Sequence, residues 1–146
     1  MKTKQKKQCI TSIGILIFSW IGIVGVYGQS YNQSLLVNKE WKFQMPEKTF
    51  YFIHLFTEKE EVVKLLVDDI KTGDEIRSSY YLSDKIVDKF QPNSVGKSKK
   101  GKYIVVLRKG LIDGELLELY EIMELTEKTL KIKNLKNDSV TEFTSK

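Results

Sequence analysis

The chain is short of the residues on which most site chemistry depends: one cysteine, Cys9, and one histidine, His54, among 146 residues. A single thiol supports no intrachain disulfide framework, and one histidine without a neighbouring cysteine cannot complete a zinc site. No Gly-x-Ser-x-Gly elbow and no second histidine are present for a nucleophilic triad. Gly96-Lys97-Ser98 imitates the end of a phosphate-binding loop, but Gln91 stands where that loop needs glycine, and a strand follows instead of a helix. The acidic pairs Glu60-Glu61, Asp68-Asp69 and Asp74-Glu75 have no calcium-loop spacing. On a strand, adjacent carboxylates point to opposite faces, so none of the pairs is itself a glycosidase couple, and all three read as solvated. No enzyme, metal or cofactor is expected from these residues.

What is present begins with a leader. Lys2, Lys4, Lys6 and Lys7 precede an apolar stretch from Ile10 to Val26, and Gly28 offers a small residue before Gln29. A basic end, a membrane-inserting segment and a small-residue exit form the layout of a secretory signal. Residues 1–28 are therefore expected to be a signal peptide and 29–146 a single domain, exported to the periplasm or beyond the cell. An uncleaved leader would be the one link to a membrane, since its apolar stretch lies near the lower limit for spanning. The leader also accounts for the basicity. Of 24 lysines and arginines, four lie in it, leaving 20 against 19 acidic residues, so the net charge falls from +5 to +1. That removes the compositional case for nucleic-acid binding.

After the leader, short apolar runs alternate with turns. Trp41 and Phe43 alternate with Lys42 and Gln44, ended by Pro46. In Lys48 to Thr57, Phe50, Phe52, His54 and Phe56 share one face. Glu60 to Lys71 fits a strand with Val63, Leu65 and Val67 on one face. It also fits a helix with Thr57 and Glu60 in capping-box spacing. Strand is preferred there, because a hairpin turning at Glu58 and Lys59 would cover the preceding edge. A glycine turn at Thr72 to Asp74 should open the next strand, which carries Tyr80, and a brief apolar piece follows from Ile86 to Phe90. Gln91 to Lys100 is a loop, with its lysines read as solvated.

Ile104 to Leu107 is unbroken and should be covered on both faces. Glu115 to Leu125 is read as a strand with Leu117, Leu119, Met123 and Leu125 on one face, although Leu116, Leu119, Tyr120 and Met123 also match a helical stripe. Leu130 and Ile132 then oppose Lys131 and Lys133, and Val140 to Thr144 closes the series. Eight or nine short strands joined by tight turns indicate an all-β antiparallel meander, and closure into a barrel removes its unpaired edges.

The tryptophan of the first strand, YYLSD (80–84), VGKSKKGKYIV (95–105) and YEIMELTEKTLKI (120–132), behind an export signal, together resemble the small lipocalin-like proteins exported by bacteria, many without assigned function. The resemblance implies a non-enzymatic eight- or nine-stranded barrel that binds a small apolar or amphipathic ligand. Ligand-carrying lipocalins place a glycine two residues before that tryptophan, where this chain has Lys39, and pack an arginine from the last strand over it. Rings with polar handles suit such a cup. Phe50, Phe52, Tyr80, Tyr103 and Tyr120 are the expected ligand-binding residues, with His54 as a polar contact inside the barrel. A barrel of this size is also just wide enough for its own side chains to fill it. The alternative is therefore a filled barrel acting as an interaction module for an envelope protein partner.

Overall fold

A computed structural model describes residues 28–46, 48–109 and 114–145. Except for Gly28, the expected leader lies outside the described residues, as does Cys9. The fold is all-β. Ten strands follow in chain order: β1 (Tyr31–Asn32), β2 (Glu40–Gln44), β3 (Phe50–Phe56), β4 (Glu60–Val67), β5 (Ile70–Ser83), β6 (Lys100–Gly101), β7 (Tyr103–Lys109), β8 (Glu115–Leu125), β9 (Thr129–Asn134) and β10 (Val140–Ser145). Eight of them close into an antiparallel up-and-down barrel in the order β10-β2-β3-β4-β5-β7-β8-β9, and β1 pairs separately with β6. Closure between β10 and β2 rests on the pairs Thr144–Lys42 and Ser145–Trp41.

The meander gives the barrel two unlike ends. At one end, the 3₁₀ turn Gln33–Leu35 runs into Leu36, which is buried with Trp41, Phe56, Leu82, Leu125, Leu130 and Phe143. Trp41 Nε1 donates to the Leu36 carbonyl at 2.9 Å, which ties the turn to the first barrel strand. The Lys39 ammonium lies 5.5 Å from the Trp41 ring centre. At that distance a ring face attracts a cation. Gly101 fits against the end of β5, where any Cβ would collide with the Ser83 backbone. The other end holds the β2–β3, β4–β5, β7–β8 and β9–β10 connections and has no such plug among the described residues.

Several sequence expectations hold. Ile104, Val105 and Val106 are all buried: Ile104 and Val106 face the core, and Val105 lies beside buried Tyr81 on the other face. Leu130 and Ile132 face inward, while Lys133 pairs outside with Asp138 at 2.7 Å. Glu60–Val67 and Glu115–Leu125 are strands, not helices.

Others are corrected. The turn after β4 falls at Asp68 and Asp69, with φ of 49° and 64°, not at Thr72 to Asp74. Aspartate tolerates this left-handed backbone, and two such residues in succession match the twist of a tight hairpin. Gly73, at φ 73°, lies instead in a register shift opposite Val63 and Leu65. In β8 the inward residues are Tyr120 and Ile122, and Met123 is exposed. A second shift between Ile122 and Glu124 then returns Leu125 to the core, and such bulges reverse the alternation of faces. The brief apolar piece Ile86 to Phe90 packs its Phe90 on Tyr81 at 5.2 Å.

Candidate functional site

Strand parity brings a charged cluster into the barrel. His54, Glu61, Ser78, Arg108 and Glu118 lie on the inward pleats of β3, β4, β5, β7 and β8; Glu61 pairs directly with Ser78, while His54 stands one inward step from Phe56, the partner of Glu61, and Arg108 one inward step from Val106, the partner of Glu118. His54 Nδ1 lies 2.7 Å from Glu61 Oε1. An Arg108 terminal nitrogen lies 2.9 Å from Glu61 Oε2, its Nε donates to Glu118 Oε2, and its other terminal nitrogen donates to Ser78 Oγ at 3.3 Å. Tyr120 donates to the same Glu118 oxygen at 2.6 Å. Among the described residues, Glu61 Oε2 has no aligned hydrogen-bond donor. Arg108 holds this oxygen as an ion pair.

Glu61 is 3% exposed, so the reading of the acidic pairs as solvated is wrong for it. Glu60, its neighbour, points outward to Arg77 at 3.4 Å. Burial pushes the Glu61 carboxyl up, yet the hydrogen bond from His54 and the charge of Arg108 together hold it below the ordinary carboxylate range. Burial works against the Arg108 charge too, and Glu61, Tyr120 and Glu118 outweigh it and raise its pKa. The Tyr120 phenol is pushed up to about 12, first by burial and then by its bond to Glu118.

Beside this cluster lies a cavity of about 150 Å³ whose walls include Phe43, His54, Glu61, Tyr120, Thr141 and Phe143. The rings interlock: Phe43 and Phe143 are 5.8 Å apart, and His54 stands edge-on to Phe143 at 4.8 Å. A larger groove of about 670 Å³ runs over the outer face of β2, β3 and β4. Its lysines are engaged locally, Lys39 with Glu127, Lys42 over the Tyr51 ring and Lys71 with Glu75. The interior cavity, though smaller, is where buried polar groups converge.

Of the expected ligand residues, His54 and Tyr120 line this cavity. Phe50 and Phe52 share the His54 pleat but pair with each other at 6.0 Å nearer the open end. Tyr80 is sealed in the closed half, where it donates to the Thr57 carbonyl and accepts from Gln33 Nε2 at 3.0 Å. Tyr103 does not line the interior. It pairs with Ser83 and Glu121 on the pleat opposite Ile104, beneath the Lys102 ammonium. Its sequence neighbour Ile104 takes the inward place.

Sequence reasoning misses Glu61, Arg108, Glu118, Phe43 and Phe143. A signal existed: Arg108 continues the pleat of Ile104 and Val106, and Glu118 precedes Tyr120 and Ile122 at the same spacing. A charge at an inward position on each of several strands marks an interior cluster. No family model, curated protein or solved structure matches the chain.

The two buried phenols predict an alkaline limit. Tyr80, like Tyr120, is pushed up to about 12 from 10.0, in its case first by burial. A raised folded pKa contributes stability that is whole below pH 10 and is lost as the pH rises through 12. For Tyr80 the contribution is on the order of 2–3 kcal/mol, and for the partly exposed Tyr120 it is less. Denaturant midpoints measured across that window should fall steeply, and should fall less in Tyr80→Phe.

Proposed function

We propose that the chain is an exported, non-enzymatic lipocalin-like protein that binds a small amphipathic ligand in the interior of its barrel, with residues 1–28 as its leader. The observation that carries this reading is the cavity of about 150 Å³ with aromatic walls on one side and the buried His54–Glu61–Arg108 group on the other. Apolar walls with a few convergent polar groups give affinity and orientation respectively. A non-enzymatic role is favoured because the acid–base groups already hold one another. Glu118 receives both Arg108 and Tyr120, and His54 Nδ1 is committed to Glu61.

Native mass spectrometry of the protein purified gently from its host's envelope fraction tests this proposal. An adduct of small-molecule mass that is lost on denaturation is the expected result. Bare protein that also fails to shift a fluorescent apolar probe would overturn it.

A second reading, an envelope interaction module, draws on a different observation. Met45, Ile70, Ile76, Leu116 and Val140 are exposed and belong to the open end. An apolar rim is the kind of surface a partner covers. The same native spectrum decides for it if the bare barrel travels in a complex of defined mass.

A further inference from the structure

Charge is not spread evenly over the barrel. Residues 84–102, the connection from β5 through β6 to β7, hold six of the 20 basic residues of 29–146 and two of the 19 acidic ones, a net +4. The other 14 basic and 17 acidic residues make the rest of that domain −3. Both ends of the segment are fixed at the closed end of the barrel. The Lys102 N–H donates to the Ser83 carbonyl at 2.9 Å, and the Lys99 carbonyl accepts from the Gln33 N–H of the 3₁₀ turn at 2.9 Å.

Four of the six lysines have no counter-ion. Lys99 meets Glu58 at 3.3 Å and Lys102 meets Glu121 at 2.9 Å. Lys85, Lys89, Lys97 and Lys100 are exposed, and among the described residues none of them pairs with a carboxylate. Ile86, which follows Lys85 in the chain, is 65% exposed. Lysines around an exposed apolar side chain suit an anionic lipid surface, where charge attracts the headgroups and the apolar group enters the interface. Nucleic acid is a poorer match. Its recognition draws on arginine and on rings free to stack, whereas this segment has no arginine and its one ring, Phe90, is packed on Tyr81. The chain also enters the barrel here, since Tyr31 pairs with Gly101 and a Cβ at Gly28 would meet the Lys102 side chain. The apolar stretch of the expected leader ends at Val26, so a bilayer met by that stretch lies on the lysine side of the barrel.

We infer that the closed end of the barrel docks on an anionic lipid bilayer through Lys85, Lys89, Lys97 and Lys100, with Ile86 entering the interface. The inference rests on the distribution of charge and is independent of the ligand-binding reading above.

The test is co-sedimentation of the protein, as its host's envelope fraction yields it, with vesicles of phosphatidylcholine mixed with phosphatidylglycerol. The unaltered chain should bind at low salt. Lys97→Gln with Lys100→Gln should weaken that binding at least about tenfold, and the difference should vanish at about 0.5 M salt, where exposed charges are screened. Lys109→Gln with Lys136→Gln removes the same charge from exposed positions at the open end and should leave binding unchanged. Any leader still attached is common to all three proteins, so its own affinity cancels in the comparison. Equal weakening in the two variants, or a first variant that binds as the unaltered chain does, would overturn the inference. So would an unaltered chain that leaves the mixed vesicles unbound at low salt, or that binds a single-stranded DNA oligonucleotide more tightly than it binds them. These last two results do not depend on a variant folding.

Discussion

Arg108→Met is expected to destabilise the barrel by about 3–5 kcal/mol, the cost of leaving a buried charge without its partner. Arg108 touches Glu61, Glu118 and Ser78, and Glu61 is 3% exposed. Methionine nearly matches the arginine stem in volume, so the loss is one of charge and hydrogen bonds more than of packing. The pH dependence separates the two causes. In the unaltered chain, the lowered Glu61 pKa contributes stability that is present above the ordinary value of 4.5 and is lost as the pH falls through the folded value. Without Arg108, burial dominates and raises that pKa. The variant's carboxyl then favours folding only while protonated, so its deficit should shrink as the pH falls towards 5 and grow as it rises. Urea unfolding at several pH values measures both slopes. A deficit below about 1 kcal/mol would mean that water from the mouth already solvates the cluster. Replacing Glu61 and Glu118 by apolar residues in the same variant should recover much of the loss, since a buried ion group is often no more stable than a packed apolar one.

The barrel was legible in the sequence where alternation was clean. Leu130 and Ile132 against Lys131 and Lys133 give the face of β9, and of the unbroken Ile104 to Leu107 the first three residues are buried, on both faces of the strand. What misleads is any place where the period of two is interrupted. The shift after Ile122 reverses which residues of β8 face inward, and the one opposite Gly73 inserts extra residues into β5. Nothing in the composition of IMEL (122–125) marks one of them. Glycine is the stronger turn signal, so Thr72 to Asp74 outweighs Asp68-Asp69 on the page, although the two aspartates make the hairpin. The site was hidden for a related reason. Glu60 and Glu61 look alike as a solvated pair, and only the pairing of Glu61 with Phe56 and Ser78 shows that one of them is inside. Cross-strand register, which the sequence does not state, assembles His54, Glu61, Arg108 and Glu118 from four strands.

Trp41→Ala should cost about 3–5 kcal/mol, a loss similar in size to that of Arg108→Met and opposite in meaning. Trp41 is wholly buried at the closed end against Leu36, and its indole N–H meets the Leu36 carbonyl. Alanine removes the largest fully buried side chain of the described residues and leaves that carbonyl without its donor. Trp41→Phe keeps most of the ring and loses the hydrogen bond, so about 1–3 kcal/mol of the loss should remain. Neither deficit should depend on pH between 5 and 8, because no charge is uncovered. The functional readout should diverge in the same way. The cavity lies among Phe43, Glu61, Tyr120 and Phe143, and Trp41 does not line it. Folded Trp41→Phe should therefore still shift a fluorescent apolar probe as the unaltered chain does. If instead folded Trp41→Phe no longer shifted the probe, the two ends of the barrel could not be separate in function. The plug formed by Gln33 to Leu36 would then have to act on the binding cavity as well as on the fold.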